Sequence, residues 1–433
     1  MNQTYLNLVS EFIKFKSIST DNTFATEIQK CALWLKNTFT ENGFKVNIIN
    51  GYGNPIVVAH YQTNPEYKTA LIYGHYDVQP ADKSEGWNSE PFELFNDGKR
   101  LYARGSIDNK GQVAIHIATI IDLIKENQLK YNITFMIEGN EETGSPLLGK
   151  FIQDNKVLLK ADVVVISDGE ITGNNPILEL GFRGGFNTTI TIKTATNDLH
   201  SGIYGGLAPN AAHEAAKLIA KLYDENNHIT IPHFYNDVAQ IENPEIIPFD
   251  QKEYQRITGA KAVLKEPEFD PYTQVGLRPS IQVTGLQSGY IGEGYKNGIH
   301  AKAILKINFR LVRNQNSAKI AEEFRDYLKE TLPSYVDFNI EVNDIHQGVK
   351  IDLNNDYIHK AKAILEKAYG TKPLLKYSGG GLPIVTFFEE ALGVPQVLVP
   401  LANEDCNMHG ANENFNLEDI EKSLEFSKEF FKS

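Results

Sequence analysis

Apolar and polar positions along this chain fall into two alternating rhythms. Residues 4–17 and 24–42 carry a helical period; in the second, Ile28, Cys31, Ala32, Leu35 and Phe39 share one face and Gly43 stands where a C-terminal cap belongs. Short apolar runs at 44–49, 55–60 and 70–73 then predict strands. A helix is expected over 112–126, with Val113, Ile117, Ile120, Ile121 and Ile124 as its stripe, and strands are expected at 133–137 and 161–166. Apolar strands separated by helices, each ending in a Gly-rich loop, imply a mostly parallel sheet covered by helices.

Past residue 181 the rhythm changes. Residues 188–194 alternate like a half-exposed strand, and a helix follows at 209–224. Residues 226–275 are rich in Pro and acidic residues and only weakly periodic, which reads as an excursion containing helix. Strands at 279–285 and 299–312, a helix at 317–331 and a strand at 335–342 complete a small α+β pattern. The last part returns to alternation: helix 355–369 closed by Gly370, strand 374–377, a helix after Pro383, strand 396–400, and a helix capped by Asn416. The expected architecture is α/β, a mostly parallel sheet flanked by helices with an inserted α+β domain. The expected boundaries are 1–181 with 351–433 for the first domain and 182–350 for the insertion.

With 433 residues, 41% hydrophobic and 22% charged, the chain has a globular composition and room for two or three domains. A net charge of −13 argues against nucleic acid or an anionic membrane as partner. Two cysteines, Cys31 and Cys406, build no disulfide framework. Cys31 reads as core, and Cys406 as a loop residue beside the metal cluster rather than a ligand. The first residues show no basic stretch followed by an apolar one, and no run approaches a membrane span; a cytoplasmic location is expected.

The candidate chemistry sits at the strand ends. Gly74-His75-Tyr76-Asp77 offers an imidazole with a carboxylate two residues on, close enough to fix its tautomer. Asp108 lies in the loop before a helix. Glu141-Glu142 follows a strand; adjacent carboxylates repel, and are easier to explain if a cation holds one and the other serves as a base. Asp168 and His409 also stand at strand exits. His60 and His116 read as structural. Histidines with several carboxylates and no thiolate suit Zn²⁺, Mn²⁺ or Co²⁺.

These motifs resemble the M20 metallopeptidases, in particular the dipeptidase branch that includes cytosolic non-specific dipeptidase and carnosinase. The resemblance is carried by Gly74-His75-Tyr76-Asp77-Val78-Gln79-Pro80, Arg104-Gly105-Ser106-Ile107-Asp108-Asn109-Lys110-Gly111, Glu141-Glu142-Thr143-Gly144-Ser145, Ser167-Asp168-Gly169, His200-Ser201-Gly202 and His409-Gly410-Ala411-Asn412-Glu413, in family order. It implies two divalent ions, Zn²⁺ first, with Mn²⁺ or Co²⁺ as alternatives. His75 and Asp168 would hold one, Glu142 and His409 the other, with Asp108 bridging through a segment whose Asp108–Asn109 peptide is cis. Asp77 would orient His75, and Glu141 would be the general base. The insertion would be a lid and dimerisation domain, making a homodimer in which His200 reaches the partner's site. Arg310 would clamp a substrate carboxylate, with His346 nearby.

Two positions depart from the branch: Gly381 replaces a usual serine and Asn297 a usual threonine, both substrate-binding positions. Asp168 is the residue typical of the family's dipeptidases and aminopeptidases, where its carboxypeptidases and deacylases carry Glu. The implied function is metal-dependent hydrolysis of small peptides, dipeptides above all. The alternatives are an amidohydrolase acting on N-acyl amino acids and a catalytically silent peptide-binding protein.

Overall fold

The computed structural model describes residues 2–239, 241 and 249–433. The chain divides into two compact units: residues 1–180, 351–376 and 387–433 form the first, and residues 181–350 with 377–386 the second. The expected boundaries therefore need one correction. Residues 377–386 belong with the insertion rather than with the C-terminal part, because this turn wraps residues of the second unit: Arg183 Nε donates to the Gly379 carbonyl at 2.8 Å, and the Gly276 backbone lies against Tyr377.

The first unit is built on a sheet whose centre is parallel. Strand Thr69–His75 pairs in parallel with Asn132–Glu138 on one side and Val163–Ile166 on the other, and Val163–Ile166 pairs in parallel with Gln396–Leu398. Antiparallel strands flank this centre: Ile56–Tyr61 and Lys45–Ile49 on one side, Ile177–Phe182 on the other. Nearly every residue of the central strands is buried, as expected where both faces are covered. Helix Lys110–Lys125 is buried almost all round and packs between Gln3–Ile13 and Leu417–Lys432. Its first residue, Lys110, is fully buried, and its ammonium donates to the carbonyls of Phe12 and Phe15 at 3.1 and 2.7 Å, closing the end of the first helix.

Parallel strands share one direction, so their C-terminal ends lie along one edge of the sheet. The loops leaving that edge carry His75, Glu141 with Glu142, Asp168 and His409.

The second unit is a four-stranded antiparallel sheet in the order Ser280–Gln287, Lys302–Leu311, Gly184–Lys193, Asp337–His346. Lys302–Leu311 alternates strictly, and Leu305, Ile307 and Phe309 face a core shared with Ile190, Ile192 and Phe324. Helices Ala211–Ala220 and Ser317–Thr331 lie against it, the latter with the predicted bounds because Asn316 caps Lys319 N–H. The single strand expected at 299–312 is instead two, Gly298–Ile299 and Lys302–Leu311, the first pairing with Leu199–His200. The weakly periodic excursion holds helices Gln251–Thr258 and Pro271–Leu277; its residues 240 and 242–248 lie outside the described residues.

One position tests the close packing behind the first unit's site. A Cβ on Gly111 would sit 1.7 Å from the Ser106 carbonyl oxygen, which belongs to the loop that carries Asp108. Backbone cannot yield as a flexible side chain does, so Gly111→Ala is expected to destabilise by about 3 kcal/mol, read as a lower midpoint in urea unfolding.

Candidate metal centre

At the C-terminal edge of the first unit's sheet, two groups of potential ligands converge. His75, Asp108 and Asp168 form one; Asp108, Glu142 and His409 form the other. Within each group the ligand atoms lie within 4.8 Å of one another, and Asp108 is common to both. His75 Nε2 is 3.1 Å from Asp108 Oδ1 and 3.7 Å from Asp168 Oδ2, while His409 Nε2 is 2.8 Å from Asp108 Oδ2 and 3.3 Å from Glu142 Oε2. Glu141 belongs to neither group; its Oε2 stands 4.0 Å from His75 Nε2.

Each ligand is held by backbone and neighbours. His75 Nδ1 donates to the Asp77 carbonyl oxygen at 3.1 Å, with the Asp77 carboxylate at 3.4 Å, so the main chain rather than the carboxylate is the nearer orienting group. That bond leaves Nε2 facing the cluster. The fully buried Asp77 carboxylate instead accepts the backbone N–H groups of Glu141 at 3.2 Å and Glu142 at 3.1 Å, and so sets the turn that presents both acids. The Asp108–Asn109 peptide is cis. Asn109 links two strand exits, accepting from His75 N–H at 3.4 Å and donating to the Ser167 carbonyl at 2.8 Å.

Three supporting residues went unnoticed in the sequence. Gln79 donates to Glu142 Oε2 at 2.6 Å. Glu413 is fully buried and accepts the N–H groups of Gly105, Ile107 and Asp108 at 3.0, 3.0 and 3.2 Å. Arg104 pairs with Glu413 at 2.7 Å and also donates to the carbonyl of His409, a residue in the left-handed region at φ 60°. Gln79, Arg104 and Glu413 all sit inside the recognised motifs, but nothing in their spacing says that one carboxylate collects three amides.

The electrostatics fit cations. Burial would raise the Asp108 carboxyl, but hydrogen bonds from His409 and His75 outweigh it and hold it below the usual carboxylate range. Burial, opposed by His75 and reinforced by the charges of Asp108 and Glu141, pushes Asp168 well upward, and Glu141 is raised in the same way. Hydrogen bonds to Asp108 and Glu142 lift His409 to about 10. His75 Nε2 is buried and faces only carboxylates, Asp108 at 3.1 Å and Asp168 at 3.7 Å. Carboxylates converging on two imidazole nitrogens, some of them driven toward protonation, are what divalent cations relieve, so the donor set fits the ions the sequence implied.

The remaining histidines and cysteines lie elsewhere. His116 is buried between Ser427 and Ser167, and burial lowers it to about 3; His60 bonds Thr134. Cys31 is in the core, and Cys406 donates to Glu170 at 2.8 Å. Among the described residues one more group of ligand type exists, His228, Glu266 and Glu268, but Arg278 already holds Glu266 at 2.6 Å.

The expected substrate-binding residues belong to the second unit. Arg310 and His346 sit opposite Gly185 on the two strands that border it. Gly381 joins them: a Cβ there would lie 2.9 Å from His346 Nε2 and 3.5 Å from Arg310 Nη1. The missing side chain thus has a steric reason, since His346 borders the space that a serine would enter. His200 and Asn297 form a separate group, exposed and adjacent: His200 Nδ1 accepts Gly202 N–H, and the Asn297 carbonyl accepts Ser201 N–H.

Residues 71–433 match the family model for peptidase family M20/M25/M40, and the chain belongs to that family. It is similar to a Cys-Gly metallodipeptidase, dug1, of Schizosaccharomyces pombe, with 30% identity covering 97% of this chain and 93% of that protein. The human Beta-Ala-His dipeptidase is 29% identical over 84% of this chain and 74% of its own length. Among solved structures, the M20 family metallo-carboxypeptidase Sso-CP2 from Sulfolobus solfataricus superposes with a TM-score of 0.86 at 30% identity, covering 100% of this chain and 99% of the other.

Glu413 supplies a test of how the site is held. Glu413→Ala leaves the Arg104 guanidinium buried and three amides without their acceptor. A loss of about 3–5 kcal/mol in thermal or urea unfolding is expected, against less than half of that for Glu413→Gln.

Proposed function

We propose that this chain is a metal-dependent dipeptidase. The observation that carries this reading is the pair of ligand groups sharing Asp108, with Glu141 next to Glu142 yet outside both groups. His75 and Asp168 would hold one ion, and Glu142 and His409 the other, with Asp108 common to both groups. When bound, two divalent ions supply Lewis acidity, which lowers the pKa of water and polarises a carbonyl. Zn²⁺ fits the imidazole and carboxylate donors, with Mn²⁺ and Co²⁺ as alternatives.

Glu141 takes a proton from the attacking water and returns it to the leaving amine. Burial first, and then the neighbouring carboxylates, raise its pKa, which suits a group that must take up a proton and release it again. Asp77 keeps that carboxylate in register with Glu142 through the two backbone amides it accepts. In the second unit, Arg310 offers a planar fork to the substrate's C-terminal carboxylate. The names of the relatives, dipeptidases for Cys-Gly and for β-Ala-His, support a short peptide as substrate.

The second unit also serves as a dimerisation domain, and its His200 stabilises the developing oxyanion in the partner subunit's site. Support comes from exposed apolar residues near His200 in sequence and around the strand Gly298–Ile299 that pairs with it: Ile203, Leu207, Tyr290, Ile291 and Tyr295. Two free, buried cysteines fit a reducing, cytoplasmic setting. Among the described residues no helix is long and apolar enough to cross a membrane.

A second reading, a carboxypeptidase, is favoured by the similarity to Sso-CP2. It requires the same carboxylate recognition but not a free amino group one residue away. Protein stripped with chelator and reloaded with Zn²⁺, Mn²⁺ or Co²⁺ is expected to release amino acids from dipeptides only when metal is restored. Efficient cleavage of tripeptides and N-acylated dipeptides would establish the carboxypeptidase instead, and cleavage confined to N-acyl amino acids would establish an amidohydrolase. Glu141→Gln is expected to lower kcat by about 10²–10⁴-fold while two metal ions per chain remain bound by elemental analysis. If His200 acts across the dimer, mixing inactive His200→Ala and Glu141→Gln chains restores about a quarter of wild-type activity, since half of the dimers then carry one intact site. No recovery after confirmed subunit exchange would show that His200 acts within its own chain.

A further inference from the structure

Within the second unit, the backbone of residues 379–381 wraps around a guanidinium. Arg183 is only 9% exposed. Its Nε donates to the Gly379 carbonyl at 2.8 Å, its Nη1 to the Arg278 carbonyl at 3.2 Å and to Ser280 Oγ at 3.1 Å, and its backbone N–H to the Gly380 carbonyl at 3.0 Å. Every one of these acceptors is neutral. Neighbouring Arg278 has its own acid, Glu266, at 2.6 Å, whereas among the described residues no carboxylate lies within ion-pair distance of Arg183 or of Arg310. Burial, and then the like charge of Arg310, pull Arg183 down to about 10, so the two cations sense each other.

These groups converge on Gly381. A Cβ on Gly381 would meet His346 Nε2, the Arg183 carbonyl and Arg310 Nη1, at 2.9, 3.2 and 3.5 Å. His346 Nε2 is buried there without a hydrogen-bond partner. A buried cation normally finds a counter-ion inside the protein. The Arg183 guanidinium lies against Gly379 and that of Arg310 against Gly381; two such cations without a counter-ion, beside an unpartnered imidazole nitrogen, leave a positive potential that an anion relieves.

We propose that Arg183 is a positioning residue that sets specificity for a fully ionised C-terminal carboxylate. It acts through Arg310 and the turn: its uncompensated charge deepens the positive potential beside Gly381, and its hydrogen bonds to the Gly379 and Gly380 segment fix the floor on which the anion lies. This rests on the reading of a peptidase whose substrate ends in a free carboxylate.

The metal-loaded enzyme is given a dipeptide and the same dipeptide as its C-terminal amide. Arg183→Gln is expected to raise KM for the acid about tenfold with kcat within about twofold, to leave the amide unchanged, and to be largely rescued by Arg183→Lys, which keeps the charge. Equal losses on acid and amide, or Arg183→Lys no better than Arg183→Gln, would reduce Arg183 to a support for the turn and overturn the proposal. A calorimetric comparison of the same two ligands on the Glu141→Gln protein, with Arg183 intact and with Arg183→Gln, needs no turnover. Tighter binding of the acid that depends on Arg183 upholds the inference even if neither compound is hydrolysed and the dipeptidase reading falls. Acid and amide bound alike by the protein that keeps Arg183 would refute it without reliance on a variant's folding.

Discussion

Like charges crowded into a buried space set the terms for the first unit. Asp108, Asp168, Glu141 and Glu142 meet around two imidazoles where little water screens them, and no arrangement of side chains alone makes that comfortable. The protein answers with backbone. Asp77 and Glu413, both fully buried, spend their carboxylates on five amides between them, and those amides fix the loops that bring the ligands together. Glu413 is balanced by Arg104, while among the described residues no Lys or Arg pairs with Asp77, so the arrangement favours cations by potential as well as by geometry.

The sheet makes this crowding possible. Four parallel strands deliver their C-terminal ends to one edge, and loops from distant parts of the sequence meet there without any long-range pairing of their own. Arg104 joins two of those loops directly, reaching Glu413 with one nitrogen and the His409 carbonyl with another. Mobility in any one of these loops would be felt by ligands on the others.

Much of this was legible in the residues. Apolar runs and helical stripes place the elements of the first unit to within a few positions, because buried parallel strands and amphipathic helices leave strong periodic signals. The gathering of His75, Asp108, Glu142, Asp168 and His409 was legible because every one of them follows an apolar strand or precedes a helix. What stayed hidden was long-range and had no local signature. Glu413 collecting the amides of the Asp108 loop, Asp77 serving the Glu141 turn more closely than the His75 ring, and residues 377–386 joining the insertion all depend on contacts between segments far apart in the chain. Gly381 was visible as a departure, but its reason, the imidazole of His346 bordering the vacant volume, exists only in three dimensions.

The order of the ligands along the chain also has a meaning in time. During synthesis His75, Asp108 and Asp168 emerge first, as part of the strands and loops before residue 180. His409 and Glu413 appear only after the whole of the second unit has been made. A nascent chain therefore owns one complete group of candidate ligands long before the other, and it still lacks the buried acid that steadies the Asp108 loop when the last strand of the parallel core, Gln396–Leu398, has been made. A step that needs both groups therefore waits until the segment His409–Glu413 has been made, as though the sequence carried its own safety catch.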